Sequence, residues 1–290
     1  MVDGDTRTGD AGLALGMVMV RPVRDTQAEA FSQELIAGID EAMSSAGGSF
    51  LVKIVGDEES ELETYRHWAA TARIGSVIIE DLTVTDGRLA LLGELGLDVV
   101  VSGDLDLAGD RPAIWTDHSR AMRLAVLALH DLGHRRIARV SGPTQFRHSL
   151  ARSAAFVEVT KELGIRPLEA IGDYSRQSGA AATRELLDRE HPPTAIIFDN
   201  DLMAVGGLAH ATESGCAVPG DLSIVAWDDS VRCQISDPPL AALSHDVRQI
   251  GEMLGAAVVE AQRGRTVRDE TPPPTLVLRG SVTAPRPTDD

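Results

Sequence analysis

The stretch from Thr194 to Ser230 constrains the fold more than any other. It holds two short apolar runs, Ala195–Phe198 and Leu222–Trp227. Each ends in carboxylates or an amide: Asp199-Asn200-Asp201 after the first, Asp228-Asp229 after the second. Between them a helical pattern runs from Asn200 to Ser214 and stops at Gly215. Runs of four to eight apolar residues bounded by turn residues read as buried strands, so the stretch predicts strand, helix, strand. Both strands would be parallel, with polar groups at their carboxyl ends, where open α/β sheets bind ligands. A plainer role competes for Asn200 and Asp201. An Asx oxygen just before a helix accepts a first-turn N–H, so either residue could be only a cap.

The rest of the chain keeps the same rhythm. Leu13–Val20 reads as a first strand after a polar, Gly-rich leader at residues 1–11, and Arg21–Thr26 as a loop. Phe31, Leu35, Ile39 and Met43 fall on one helical face, and Gly47-Gly48 ends that helix. Strands follow at Phe50–Val55, Ser76–Ile79, Val99–Val101, Ala113–Thr116 and Arg136–Ser141, with helices at Glu58–Ala72, around Arg88–Leu95 and from Asp117 to Leu132. The second half alternates likewise: helix Ser149–Leu163, strand Leu168–Ile171, helix Ser175–Glu190, the central unit, strand Leu240–Leu243, helix Asp246–Ala261 and strand Thr275–Leu278. Such alternation predicts an α/β fold with parallel sheets covered by helices on both faces. At 290 residues, about two domains are expected. The expected division is an N-terminal lobe of residues 12–141 plus 246–268 and a C-terminal lobe of 142–245 plus 269–290. Gly142-Pro143 and Leu243–Asp246 are the candidate crossings.

Composition excludes several function classes. A net charge of −17 argues against a broad nucleic-acid surface, because phosphate binding is driven by Lys and Arg. Cys216 and Cys233 form no metal or redox motif and read as free thiols of a reducing compartment. The acidic N-terminus lacks the basic and apolar regions of a secretory signal, and no apolar run approaches a membrane span of about 20 residues. A cytoplasmic protein is expected.

Five motifs in register carry a resemblance. They are Leu132-Gly133-His134-Arg135-Arg136-Ile137-Ala138 with Ser141-Gly142-Pro143; Ser149-x-x-Arg152 with Phe156; Pro193-Thr194-Ala195-Ile196 leading into Asn200-Asp201-Leu202-Met203-Ala204; Val218-Pro219 through Asp228-Asp229; and Asp237-Pro238-Pro239-Leu240. By their order and spacing the chain resembles the effector-binding core of LacI/GalR-type transcription regulators, a resemblance that covers roughly Leu13 to Leu278. The resemblance implies two similar lobes of the periplasmic-binding-protein kind, linked by crossing strands, with a small polar effector held in the cleft between them. It implies a homodimer using the helix Phe31–Ser45 and the segment Leu202–Ala211. It also implies that operator DNA is read by a helix-turn-helix headpiece, which is not seen before the strand that starts near Leu13. Departures lie near the expected cleft: Ala155 for Gly, Ala241-Ala242 for Thr-Thr, His118 for Asn after Asp117, and Gly103 for Asp.

The resemblance makes Arg152 the first candidate for effector contact, and its guanidinium offers a rigid fork of donors for hydroxyls or a carboxylate. Asn200 would present a donor and an acceptor, and Asp228 an acceptor. Trp227 could stack on an apolar sugar face, although a strand-end Trp is more often core. His245 lies where relatives often carry an effector-contacting Gln. From the first lobe the resemblance points to Phe31, Ser102 and Asp117, with core packing a competing role for Phe31. Asp229 reads equally as a helix cap. No catalytic residues, metal ligands or cofactor are assigned. The sequence lacks a Gly-x-Ser-x-Gly elbow and a phosphate loop after the first strand, where Arg21-Pro22-Val23-Arg24 stands, and His134 has no metal-ligand partner at helical spacing. Two readings from other classes remain at this point: a solute-binding protein of a transport system, and an enzyme on the same scaffold.

Overall fold

The structure is a computed structural model that describes residues 13–21 and 30–286. The expected leader lies outside the described residues, as does most of the loop expected at Arg21–Thr26. The elements run β1 (Ala14–Val20), α1 (Ala30–Ser45), β2 (Ser49–Val55), α2 (Glu58–Thr71), β3 (Ser76–Ile79), α3 (Arg88–Glu94), β4 (Asp98–Ser102), α4 (Leu105–Ala108) and β5 (Ala113–Trp115). They continue with α5 (His118–Asp131), β6 (Ile137–Ser141), α6 (Arg147–Glu162), β7 (Leu168–Ile171), α7 (Arg176–Leu187), β8 (Ala195–Phe198), α8 (Asp201–Glu213), β9 (Ser223–Trp227), α9 (Val231–Ile235) and β10 (Ala241–Ser244). The last are α10 (Val247–Gln262), β11 (Arg268–Glu270) and β12 (Thr275–Val277). No helix among the described residues is long and apolar enough to cross a membrane.

The chain divides into two compact units, residues 1–115 with 247–271 and residues 116–246 with 272–290. The first unit carries a sheet of order β11-β5-β4-β3-β1-β2, parallel throughout. The two-residue period of a strand sends Leu15, Met17 and Met19 of β1 to the face covered by α1 and α10, and Val18 to the other face. α1 and α10 meet at backbone distance: a Cβ on Gly38 would lie 2.0 Å from the Arg248 carbonyl oxygen, and one on Gly251 2.3 Å from that of Leu35.

The second unit repeats the topology. Its sheet runs β12-β10-β9-β8-β6-β7, with only β12 antiparallel. Ala138, Val140, Ile196, Phe198, Ile224 and Ala226 face the α7–α8 layer, while Ile137, Ile197, Val225, Trp227 and Leu243 face α5 and α6. Strand order reverses at β6, so β6 and β8 are neighbours whose following helices leave to opposite faces. Such a switch point opens a crevice at the carboxyl ends of the two strands.

The structure corrects the expected division. Residues 116–141, with α5 and β6, belong to the second unit, because β6 pairs with β7 and β8. Gly142-Pro143 is therefore not a crossing. The chain passes between units after Trp115, Asp246 and Thr271, and only the second of these falls at an expected crossing. Three elements gave no sequence signal. β11 is Arg-Asp-Glu, with all three side chains exposed, and is a strand only through its register with Ala113–Trp115. α4 and α9 are too short to show a helical period.

Candidate functional site

The switch point of the second unit is built around a buried ion pair. Arg139 sits in β6 on the face turned toward α6 and is fully buried. Its Nε and Nη2 donate to the Asp199 carboxylate at 2.8 and 2.5 Å, its Nη1 donates to Glu169 at 2.7 Å, and Nη2 also reaches the Ser149 carbonyl at 3.1 Å. Burial opposes the guanidinium charge, but the Asp199 and Glu169 carboxylates outweigh it and hold the pKa above its ordinary value. Asp199 also accepts from the Gly142 amide at 3.2 Å. The ends of β6 and β8 are thereby tied across the crevice.

Arg152 lies on this frame. It is 7% exposed, and its Nη1 donates to the Asp199 carbonyl at 3.0 Å. Its guanidinium carbon stands 3.8 Å from the centre of the Trp227 ring, a cation–π stack, and its Nε donates to His118 Nδ1 at 3.3 Å. That bond uses the Nδ1 lone pair, so His118 is a neutral imidazole with its proton on Nε2. Burial first, and then the charges of Arg152, His148 and His245, hold the His118 pKa well below the usual imidazole range. Beside them, His148 Nε2 and the Tyr174 hydroxyl are 2.7 Å apart, Ser149 Oγ lies 3.1 Å from the same hydroxyl, and His148 stacks on Phe146 at 5.4 Å. The Tyr174 ring rests on Gly142, where a Cβ would come within 2.1 Å of it, so only glycine fits there. His245 stacks near Trp227 at 6.1 Å between centroids. Both its ring nitrogens are buried without a hydrogen-bond partner among the described residues, and its pKa is lowered to about 4, by burial and then by Arg152.

The expected residues fare differently. Arg152 is central. Trp227 is 1% exposed and carries Arg152 on its face as a buried platform. Asn200 is 7% exposed; its Oδ1 accepts from the Met203 amide as the cap of α8, and its Nδ2 donates to the Tyr174 carbonyl, both at 2.9 Å. Its role here is to hold the Tyr174 loop. Asp228 ends β9 half-buried in the left-handed region at φ 70°, its amide bonded to the Leu243 carbonyl at 3.1 Å. Asp229 is no cap: Arg279 grips it bidentately at 2.8 and 2.7 Å. Asp117 caps α5 by accepting from the Arg120 amide, and it lies in the second unit, not the first. Phe31 packs onto the first unit's α1–α10 core, which gives it a packing role, and Ser102 ends β4 half-buried in that unit.

Arg139, Asp199 and Tyr174 were missed. A charged residue inside the buried run Ile137–Ser141, with a carboxylate ending the neighbouring buried run, was the available signal for the first two. No group of three or more His, Cys, Asp or Glu side chains among the described residues is placed to hold a metal ion.

Comparison with known proteins fixes the family. The model of the periplasmic binding protein-like domain matches residues 126–282. The lactose operon repressor of Escherichia coli K12 is 30% identical over 259 residues, 87% of this chain and 71% of the repressor. The chain belongs to the LacI family of transcriptional regulators. Among solved structures, a LacI-family regulator from Bifidobacterium animalis subsp. lactis is 33% identical with a TM-score of 0.86, covering 94% of this chain and 98% of that one. The transcriptional regulator CelR, in complex with cellobiose, is 27% identical with a TM-score of 0.84, covering 92% of this chain and 84% of that one. This LacI-family chain is thus an effector-binding domain of the periplasmic-binding-protein type, and its relatives are transcriptional regulators, not enzymes.

Proposed function

We propose that this domain senses a small polar effector of the sugar class at the switch-point face of its second unit. The observation that carries the reading is Arg152. Its guanidinium is oriented by the Asp199 carbonyl, His118 and the Trp227 ring, at the place where an open α/β sheet binds ligands. A side chain locked in this way loses little entropy on binding, which is the condition for tight recognition. Asp228, at the end of the adjoining strand, supplies an acceptor. The cellobiose complex of a relative supports a sugar. Effector binding biases the domain between conformations and so sets operator affinity in a cytoplasmic homodimer, with DNA read by a helix-turn-helix part and not by these two units.

The homodimer rests on the resemblance alone. Of the apolar residues of α8 that exceed one helical face, Met203 and Leu208 are buried in the unit's own core, while Val205 and Ala209 are half-buried. The effector reading is tested by calorimetric titration of the 290-residue protein with mono- and disaccharides and nucleosides. Saturable binding of a sugar, lost in Arg152→Met, is the expected result; the absence of saturable binding by every sugar overturns it.

A further inference from the structure

The hydrogen-bonding groups around Trp227 are unbalanced. Arg152 spends Nη1 on the Asp199 carbonyl and Nε on His118, and among the described residues its Nη2 donates to none. His118 has lost its lone pair at Nδ1 to Arg152 and keeps an N–H at Nε2. The His118 ring lies 6.0 Å and the His245 ring 6.1 Å from the same indole, and neither nitrogen of His245 has a partner. Arg152 Nη2 and His118 Nε2 therefore offer N–H donors, the neutral His245 offers one donor and one acceptor nitrogen, and Arg152 supplies a full positive charge. A sugar hydroxyl accepts one hydrogen bond but must place its own proton as well, whereas carboxylate and phosphate oxygens only accept.

We infer that the effector carries an anionic group, a carboxylate or a phosphate ester, which Arg152, His118 and His245 receive together. The inference rests on the effector reading above and names the chemistry of that effector.

Cationic groups and carboxylates both stand around these rings. α5 contributes His118 and Asp117, whose carboxylate caps the helix. α6 contributes Arg152 and His148, and the end of β8 contributes Asp199, already gripped twice by Arg139. Asp228 follows β9, and His245 and Asp246 follow β10. The charges that move the two imidazoles are nonetheless all cationic or imidazole: Arg152, His148 and His245 for His118, and Arg152 for His245. A bound anion opposes those charges and favours protonation of His245, whose nitrogens have no partner among the described residues, while His118 stays neutral with Nδ1 held by Arg152. Binding then takes up protons, and affinity for the anion rises as pH falls.

The test uses sulfate, which does not titrate in this range, on the whole chain at constant ionic strength against chloride. The ring titrations of His118 and His245 are followed by proton NMR, with His118→Asn and His245→Gln giving the assignments. Sulfate should raise the His245 ring pKa, with no effect in Arg152→Met and a weakened effect in His118→Asn. Sulfate that leaves the His245 ring unmoved overturns the inference, as does an effect that survives Arg152→Met. In parallel, glucose, glucuronate and glucose 6-phosphate are titrated by calorimetry. An acidic member that binds at least tenfold more tightly than glucose, and more so at lower pH, supports the inference. If all three bind alike and sulfate leaves the His245 ring unmoved, the effector reading survives without its anion. If sulfate moves the His245 ring and no member of the full sugar panel binds, the anion site stands and the sugar reading fails.

Discussion

Acidification should unfold this protein partly through one imidazole. His245 keeps both ring nitrogens buried and unpartnered, and burial and the Arg152 charge lower its pKa to about 4. In the unfolded chain an imidazole titrates near 6.5. Between these values the unfolded state binds more protons than the folded state, so stability rises with pH across the window and is lost as pH falls through it. Near neutrality almost nothing is lost. At about pH 5 the unfolded imidazole is nearly all protonated while the folded one is about nine-tenths neutral, which costs about 2 kcal/mol. Below about pH 4 the loss levels off at roughly 3 kcal/mol, since each unit of difference is worth about 1.4 kcal/mol. The perturbation is His245→Gln, which keeps a polar side chain of similar length and cannot titrate. Urea unfolding of both proteins at a series of pH values gives the difference directly, and other acid-sensitive groups cancel between them. The variant should lose about 2 kcal/mol less than the wild type between about pH 7 and 5. Parallel losses in the two proteins would refute the assignment of this acid sensitivity to His245.

Three further outcomes are expected. Arg139→Met leaves the Asp199 carboxylate buried with the Gly142 amide and with Arg152 Nη1 at 3.9 Å; it should destabilise the protein by about 3–5 kcal/mol, read from chemical denaturation. Gly38→Leu drives a side chain into the Arg248 carbonyl across the α1–α10 contact and should cost at least about 1–3 kcal/mol, seen as a lower melting temperature by circular dichroism. Asp228→Asn should weaken effector binding by about tenfold, the scale of one charge-assisted hydrogen bond, with little change in melting temperature; Arg152→Met should weaken binding and also lower the melting temperature, because its guanidinium is buried and bonded in the folded chain.

The sequence by itself determined the elements and the family. Apolar runs such as Ala195–Phe198 and the stripe Leu35, Ile39, Met43 are local patterns with periods of a strand and a helix, so they could be read directly. The five motifs gave the family for the same reason: they are short and contiguous. Even the cap at Asn200 was legible, because a cap acts within three residues of itself. Tertiary structure decided everything that joins distant positions. Which sheet takes β6 depends on its pairing with β7 and β8, and no local pattern records a partner, so Gly142-Pro143 was mistaken for a crossing. Arg139 and Asp199 lie 60 positions apart and were seen only as separate charges. Trp227 was legible as a candidate and His118 only as a departure near the expected cleft, yet Arg152 reaches both from α6, using one as its platform and the other as its hydrogen-bond acceptor. His245 was legible as a candidate by position alone. Its depressed pKa was not, because that depends on the burial of its nitrogens and on a guanidinium brought beside it by the fold.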